Sequence, residues 1–352
     1  MSLLTPLFSE FTGRELGYVL FKQNSFWIGI GILIFGGTLL SGLYPAFVLS
    51  SYKPAEVLKG KFKNTSSGVR FRKGMVVVQF VSSITLIVGT YTVYQQIRFM
   101  QEQKLGVNID QTLVLHSPDL IDGTIDEKFQ IFKQQIEQYP EVASVSASNE
   151  VPGHQPSWNA GGIRRLSQRN EDSKQYRVIH IDHDFISAYG LTVIAGRGFL
   201  GDLANDRHNV ILNELAVNLM GFKKTEDAID DRIIFQSDTL RIVGVLKNYH
   251  HESLKKAFDP LIFRYHPGAF GFYSIKLNPY SVKASLSTFE KEWKATFPGH
   301  PFTYFFLDDH YNQQYQADQQ FGKIYGAFSS LAIFIACLGL FGLSSLTAIS
   351  TH

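Results

Sequence analysis

Apolar and charged positions are segregated along this chain. Three windows contain no Asp, Glu, Lys or Arg: 24–52, 74–97 and 324–352. A 24-residue helix is about 36 Å long, enough to cross a hydrocarbon core of about 30 Å. Their contents fit a lipid environment: Phe26, Trp27, Ile28 and Ile30 in the first, Val76 to Val78 and Ile87 in the second, Leu331, Ile333 and Phe334 in the third. A buried helix of a soluble protein is usually shorter and carries some charge. Three membrane spans are therefore predicted. The first is too long for a signal-peptide core and has no basic leader. Its Gly29, Gly31, Gly36, Gly37 and Gly42 suit close approach to another membrane helix. Tyr44–Pro45 marks a kink that neighbouring helices would have to satisfy.

Between the second and third windows the periodicity changes. Phe129, Phe132 and Ile136, with Ile131, have helical spacing, and Pro140 ends that helix. Strands are predicted over 142–147, 177–181, 209–212, 272–277 and 302–306, and a hairpin over 232–236 and 239–246 around Ser237–Asp238. Helices are predicted over 185–189, stopped by Gly190, over 214–220, closed by Gly221, and over 282–296, with Leu286, Phe289 and Trp293 on one face. Interspersed helices and strands define an α+β class: three transmembrane helices plus a mixed α/β extracytoplasmic domain on helical stalks. The stalks are 98–104, continuing the second span until Gly106, and the polar, Gln-rich 308–323. The expected divisions are an extracytoplasmic loop remnant at 1–23, spans at 24–50 and within 74–106, a basic loop at 51–73, a domain at 107–306, and a stalk with its span at 307–350.

Charge sets the orientation. The loop between the first two windows carries Lys53, Lys59, Lys61, Lys63, Arg70, Arg72 and Lys73 against Glu56 alone. The positive-inside rule places it in the cytoplasm and hence the large segment 98–323 outside. The whole chain has a net charge of only +2, so no basic field points to nucleic acid. The single cysteine, Cys337, excludes an intramolecular disulfide framework within this sequence and any multi-cysteine metal site.

Chemistry is sparse. The sequence contains no phosphate-cradling G-x-x-x-x-G-K-[ST], no G-x-S-x-G and no H-E-x-x-H. The densest ionisable run is His180–Ile181–Asp182–His183–Asp184. Its residue types suit zinc, but a strand end followed by a helix start, with Asp184 near the cap, is the simpler reading. Tyr249–His250–His251–Glu252 reads as a solvated loop. Arg197, between Gly196 and Gly198, reads as a turn residue bonded to a carboxylate or a carbonyl, and Asn213–Glu214 as a helix start. No catalytic, cofactor-binding or metal site is expected, and no enzyme activity. The pattern points to mechanical work and binding.

Several stretches then resemble one family. Leu43–Tyr44–Pro45–Ala46–Phe47, followed by Lys53–Pro54–Ala55–Glu56–Val57–Leu58–Lys59–Gly60, looks like a junction between permease repeats. Ala195–Gly196–Arg197–Gly198–Phe199, Asn213–Glu214, and Val243–Gly244–Val245–Leu246–Lys247–Asn248–Tyr249–His250 resemble recurrent patterns of a periplasmic core domain, and Cys337–Leu338–Gly339–Leu340–Phe341–Gly342 the span that follows it. In order and spacing the chain resembles the FtsX-like, MacB-type permeases of ABC transporters, especially the double-length type common in Bacteroidetes. The resemblance implies one span of a first repeat and two of a second, a piece of a longer protein whose cytoplasmic coupling segment would follow the third span.

What the resemblance implies is a multi-pass inner-membrane permease subunit with a large extracytoplasmic domain. Its work would be efflux, export or extraction of a periplasmic-side substrate by mechanotransmission. It implies no cofactor in this chain, with ATP bound by a separate cytoplasmic ABC ATPase subunit. Further partners would be membrane lipids, a periplasmic adaptor or outer-membrane protein, and a second permease copy or repeat in a dimeric arrangement. A membrane-anchored extracytoplasmic sensor is the alternative class. Peptide, lipoprotein, antibiotic and hydrolase control all fit as cargo.

Overall fold

The computed structural model describes residues 23–50, 66–103, 105–118, 123–267, 271–278 and 282–350. The expected loop remnant 1–23, apart from its last residue, and most of the basic loop 51–73 lie outside the described residues. In chain order the elements are α1 (Asn24–Ser50), α2 (Ser66–Glu102), β1 (Thr112–His116), α3 (Ile125–Ile136), β2 (Val142–Ser148), β3 (Asn159–Arg165), β4 (Lys174–Ile181), α4 (Phe185–Ala188) and β5 (Val193–Gly196). There follow α5 (Leu203–Asp206), β6 (Asn209–Asn213), α6 (Glu214–Leu219), β7 (Arg232–Phe235), β8 (Asp238–Leu246), β9 (Leu261–Tyr265), β10 (Phe272–Leu277), α7 (Val282–Thr296), β11 (Tyr304–Phe306) and α8 (Leu307–Ser350). They form two compact units, one comprising Met1–Gln101 with Ala317–His352, the other Glu102–Gln316.

In the first unit two stretches are long and apolar enough to cross a membrane, Val76–Met100 in α2 and Asp318–Gly342 in α8. Three spans were expected. The first expected span falls on α1, a helix of 27 residues, of which Asn24–Leu39 is an apolar stretch among the described residues. Leu33, Phe35, Val78, Phe328 and Phe341 are all exposed. Apolar side chains turned outward along a whole helix fit lipid and not the core of a soluble globule.

α2 and α8 meet along a seam of small residues. A methyl group on Gly322 would touch Ile97 at 3.6 Å, one on Gly326 would reach Thr90 at 4.0 Å, and one on Gly339 would lie 3.3 Å from the Gln79 side chain. Between them Thr90 Oγ1 and Ser329 Oγ share a hydrogen bond of 2.8 Å. Small residues let the two backbones approach, and the hydroxyl pair keeps each polar atom satisfied.

The second unit has two cores. Strands β11, β1, β10 and β2 form an antiparallel sheet, covered by α3 and α7. Phe129 and Phe132 of α3, Phe289 and Trp293 of α7, Phe297 just after it, and Tyr273 of β10 are its fully buried aromatics. Phe132 meets Trp293 edge-on at 5.5 Å, a geometry that adds to simple burial. Ile131 was read with the apolar face of α3 but is exposed; the face that is buried is 129, 132, 133 and 136.

The other core is a closed ring. β4 pairs with β3, β3 with β7, β7 with β8, β8 with β6, β6 with β9, and β9 with β4. The β4–β9 and β6–β8 pairs are parallel and the other four antiparallel. Ring closure leaves no open edge among these six strands. Ile163, Tyr176, Val178, Val210, Phe235 and Ile242 fill it. β2 and β4 join the two cores through the Ser148–Ile181 pair.

Two of the family-like motifs meet on this ring, where Gly196 of β5 pairs with Gly244 of β8. A Cβ on Gly244 would lie 2.1 Å from the Arg197 carbonyl oxygen, and one on Gly196 2.2 Å from the Val243 carbonyl oxygen. Both contacts are to backbone, so no side-chain rotation relieves them. Gly244→Ala should destabilise the domain by about 1–3 kcal/mol, whereas Gly198→Ala, with only an ordinary 3.5 Å contact to Ile186, should cost less than ~0.5 kcal/mol. Chemical denaturation of the full chain, followed through Trp158 and Trp293, compares the two.

Candidate functional site

Two groups of buried polar side chains in the second unit join distant segments. The first lies at the junction between the cores. Lys133 lies on the buried face of α3, where a charge requires a partner. Its Nζ lies 3.4 Å from Asp182 Oδ2 and donates to Asp184 Oδ2. Asp182 Oδ1 accepts from Ser146 Oγ at 2.8 Å and from the Phe185 N–H at 3.0 Å. Asp184 stands at the N-cap position of α4, as expected, but its side chain makes no capping bond; Asp182 accepts the first helical N–H instead. Burial raises the pKa of Asp182, opposed by Lys133 and by the bonds from Ser146 and Ala147. Burial would lower Lys133, but Asp182 and Asp184 outweigh it and raise the ammonium above its ordinary value.

Asp182, His183 and Asp184 offer donor atoms within 4.8 Å of one another. The residue types suit a divalent ion. The Lys133 ammonium reaches both carboxylates, however, and His183 Nε2 lies 3.1 Å from Asp184 Oδ2. The site supplies its own cation.

The second lies where the chain enters and leaves the domain. The loop after β8, residues 247–260, touches both segments. On the incoming side His250 N–H donates to the Leu105 carbonyl at 2.9 Å, and a Cβ on Gly106 would meet Tyr249 at 3.1 Å. On the outgoing side Leu254 N–H donates to Tyr315 Oη at 3.0 Å, Lys255 Nζ lies 3.4 Å from the Gln314 carbonyl, and the Lys255 ammonium lies over the Tyr315 ring at 5.5 Å. Gln314 Nε2 also donates to the Gly153 carbonyl, and Gly153 N–H to the His251 carbonyl at 2.6 Å. One loop thus clamps the incoming segment and the first turns of α8 to the same domain.

The clamp is tied to the ring through another motif pair. Asn248 Oδ1 accepts from Leu215 N–H while Glu214 Oε2 accepts from Asn248 N–H, at 3.1 and 2.8 Å. Asn213 Oδ1 caps α6 at Ala216 N–H and also accepts from Leu261 N–H at the start of β9. The helix-start reading of Asn213–Glu214 holds, and the same residues also bind β9 and the clamp loop. Arg197 donates to the Gly198 carbonyl at 2.8 Å and lies 3.4 Å from buried Asp206, using both partner types expected of it.

The solvated-loop reading of 249–252 is wrong. Tyr249 is 2%, His251 3% and Glu252 9% exposed. Tyr249 Oη and His251 Nδ1 are 2.9 Å apart. The sequence conceals this because the segment is held by backbone bonds to distant segments, His250 N–H to the Leu105 carbonyl and Gly153 N–H to the His251 carbonyl. Burial pushes His251 down to about 3, with His154 adding to it. Burial likewise lowers His180 to about 4, helped by His266 and Arg264. His310, on the first turns of α8, is lowered by burial and then by His154 and His116. Its ring lies 4.9 Å from both His154 and Phe305.

This domain, with its clamped ends and without a free metal or nucleophile site among the described residues, matches a known family. The MacB-like periplasmic core domain family matches residues 76–273. The chain belongs to that family, and its second unit is the periplasmic domain of a MacB/FtsX-like ABC transporter permease. No curated protein matches the chain. Among solved structures it is similar to the periplasmic region of MacB from Actinobacillus actinomycetemcomitans, at 13% identity and a TM-score of 0.42, covering 62% of this chain and 98% of that one. It is also similar to the extracellular domain of the noncanonic ABC-type transporter YknZ from Gram-positive bacteria, at 13% identity and a TM-score of 0.37, covering 55% and 97%. A domain described as that of a permease from Porphyromonas gingivalis gives 15% identity and a TM-score of 0.37, covering 54% and 85%.

Lys133→Met leaves Asp182 buried without its cation and should cost about 3–5 kcal/mol near neutral pH. The penalty should shrink in acid, where Asp182 takes a proton, and denaturant titrations at the two pH values measure the difference. A second prediction concerns the wild-type chain. His251 and His180 stay neutral when folded but bind protons below about 6.5 when unfolded. Stability should therefore be full above that pH and fall as pH drops toward 4, by ~1.4 kcal/mol per pH unit for each histidine. A flat profile in the same titration would contradict the burial of these rings.

Proposed function

We propose that the chain is part of a permease subunit of an ABC transporter in the cell inner membrane, and that it works by mechanotransmission. A separate cytoplasmic ATPase closes on ATP. The resulting movement of the spans reaches the periplasmic domain through α2 and α8. Substrate is exported or extracted from the periplasmic side, and no path for it through the bilayer is needed. The chain itself supplies no hydrolytic chemistry.

The observation that carries this reading is the clamp. A domain tethered only for anchorage needs one firm attachment, and its second end can be slack. Here the loop 247–260 binds the incoming segment at Leu105 and the outgoing helix at Gln314 and Tyr315, so a displacement at either end is delivered to the same loop. Glu214 and Asn248 then pass it to the ring.

The tagged protein, solubilised from its native membranes, should bring with it an ABC ATPase subunit in fixed proportion, with vanadate-sensitive ATP hydrolysis. A reporter fused after Asn64 should be active only in the cytoplasm and one at Asp202 only outside. Absence of the ATPase together with a correct reporter pattern would favour the anchored-sensor class. A reversed reporter pattern would end the topology itself.

A further inference from the structure

Beside the seam of small residues, α2 and α8 enclose an open groove of about 640 Å³. That is within the range of about 300–1,000 Å³ seen for small-molecule sites. It occupies the half of both spans nearest the periplasmic domain along the chain, between Ile87 and Ile97 on α2 and between Gln319 and Ile333 on α8. Its deeper wall has Ile87, Gly326 and Ile333, with the Thr90, Ser329 and Ser330 hydroxyls turned to each other or to backbone carbonyls. Its outer rim is polar, with Tyr91, Tyr94, Gln319 and Lys323. Lys323 is exposed.

The arrangement is amphipathic along one axis. Tyr residues belong at the depth of lipid headgroups, and a lysine at that depth extends its ammonium toward them. We propose that this groove holds one anionic phospholipid of the outer leaflet, its phosphate on Lys323 and Gln319 and an acyl chain along Gly326 and Ile333. Charge decides between this occupant and another membrane helix. The charge-free windows 24–52, 74–97 and 324–352 contain no carboxylate. The carboxylate that the α8 span carries near this depth, Asp318, is already engaged, so a span of this chain or of a second copy would bury Lys323 without a free anion, whereas a phosphodiester supplies one. Cationic pockets between membrane helices recognise anionic headgroups in this way. The proposal rests on α2 and α8 crossing the membrane, which the reporter fusions test separately.

The test uses the full chain in phosphatidylcholine nanodiscs containing a trace of spin-labelled lipid, labelled high on the acyl chain. Phosphatidylglycerol should show a motionally restricted component, with about a fivefold preference over phosphatidylcholine, the size expected for one lysine near an anionic headgroup. Lys323→Gln should abolish the preference without changing thermal unfolding. Ser330→Trp, which puts a large ring into the groove lining, should remove the restricted component for both lipids. Equal partition of the two lipids, or a preference that survives Lys323→Gln, would overturn the proposal. So would efficient disulfide dimerisation of Tyr94→Cys in a Cys337→Ala background, because it would put a second copy in the groove.

Discussion

The periplasmic domain depends on the end of β4. This strand closes the six-stranded ring by pairing with both β3 and β9, and its last residue pairs with β2 of the other sheet. Asn149 strengthens the crossing, because its backbone N–H donates to the His180 carbonyl while its side-chain oxygen accepts the His180 N–H. Asp182 follows at once, with its N–H on Ala147 and its carboxylate held by Ser146, Phe185 and Lys133. Ser146 from β2, Phe185 from α4 and Lys133 from α3 all meet on this carboxylate, so one side chain fixes the angle between two cores. A buried charge is a costly way to gain stability. It is an effective way to gain a single arrangement, since any other docking of α3 leaves Lys133 and Asp182 desolvated and apart.

Much of this was legible in the sequence where a local pattern exists. The bounds of β10 and α7 follow from alternation and helical spacing, and the hairpin of β7 and β8 differs by a residue or so from its expected limits. Four strands gave no signal. β1 and β9 are almost wholly buried, so neither shows the polar alternation that marks a half-exposed strand. β3 contains Gly161 and Gly162, and β5 is four residues long and ends in Gly196. Ring closure was beyond reach for a different reason: the parallel β4–β9 register joins segments separated by several other elements, and no local period encodes that choice.

The candidate sites divide along the same line. Asn213–Glu214 and the Gly196–Arg197–Gly198 turn have local roles that residue type alone suggests. Lys133 could have been found, because a lysine between Phe129, Phe132 and Ile136 on one helix face demands a buried acid, and the 180–184 run is the densest supply. The clamp could not. Its partners at Leu105, Gly153, Gln314 and Tyr315 are backbone groups, one side-chain amide and one aromatic hydroxyl, which carry no distinctive sequence signal.

That distinction bears on what the molecule does. An active site concentrates perturbed side chains around an accessible cavity. Here the strongly perturbed groups include His251 and Tyr249, which are buried, and His180, which is partly so, and their shifts come mainly from loss of solvent. Each clamp bond contributes on the order of 1 kcal/mol net, but they act together, because the incoming segment, the 247–260 loop and the first turns of α8 cannot separate one at a time without exposing buried polar groups. Under the proposed mechanism the load is shared between backbone hydrogen bonds on one side and the Glu214–Asn248 pair on the other. The clamp contacts at Leu105, Gly153, Gln314 and Tyr315 pair with the 247–260 loop, which suits the transfer of displacement proposed above, while His251 Nε2 is buried without a partner.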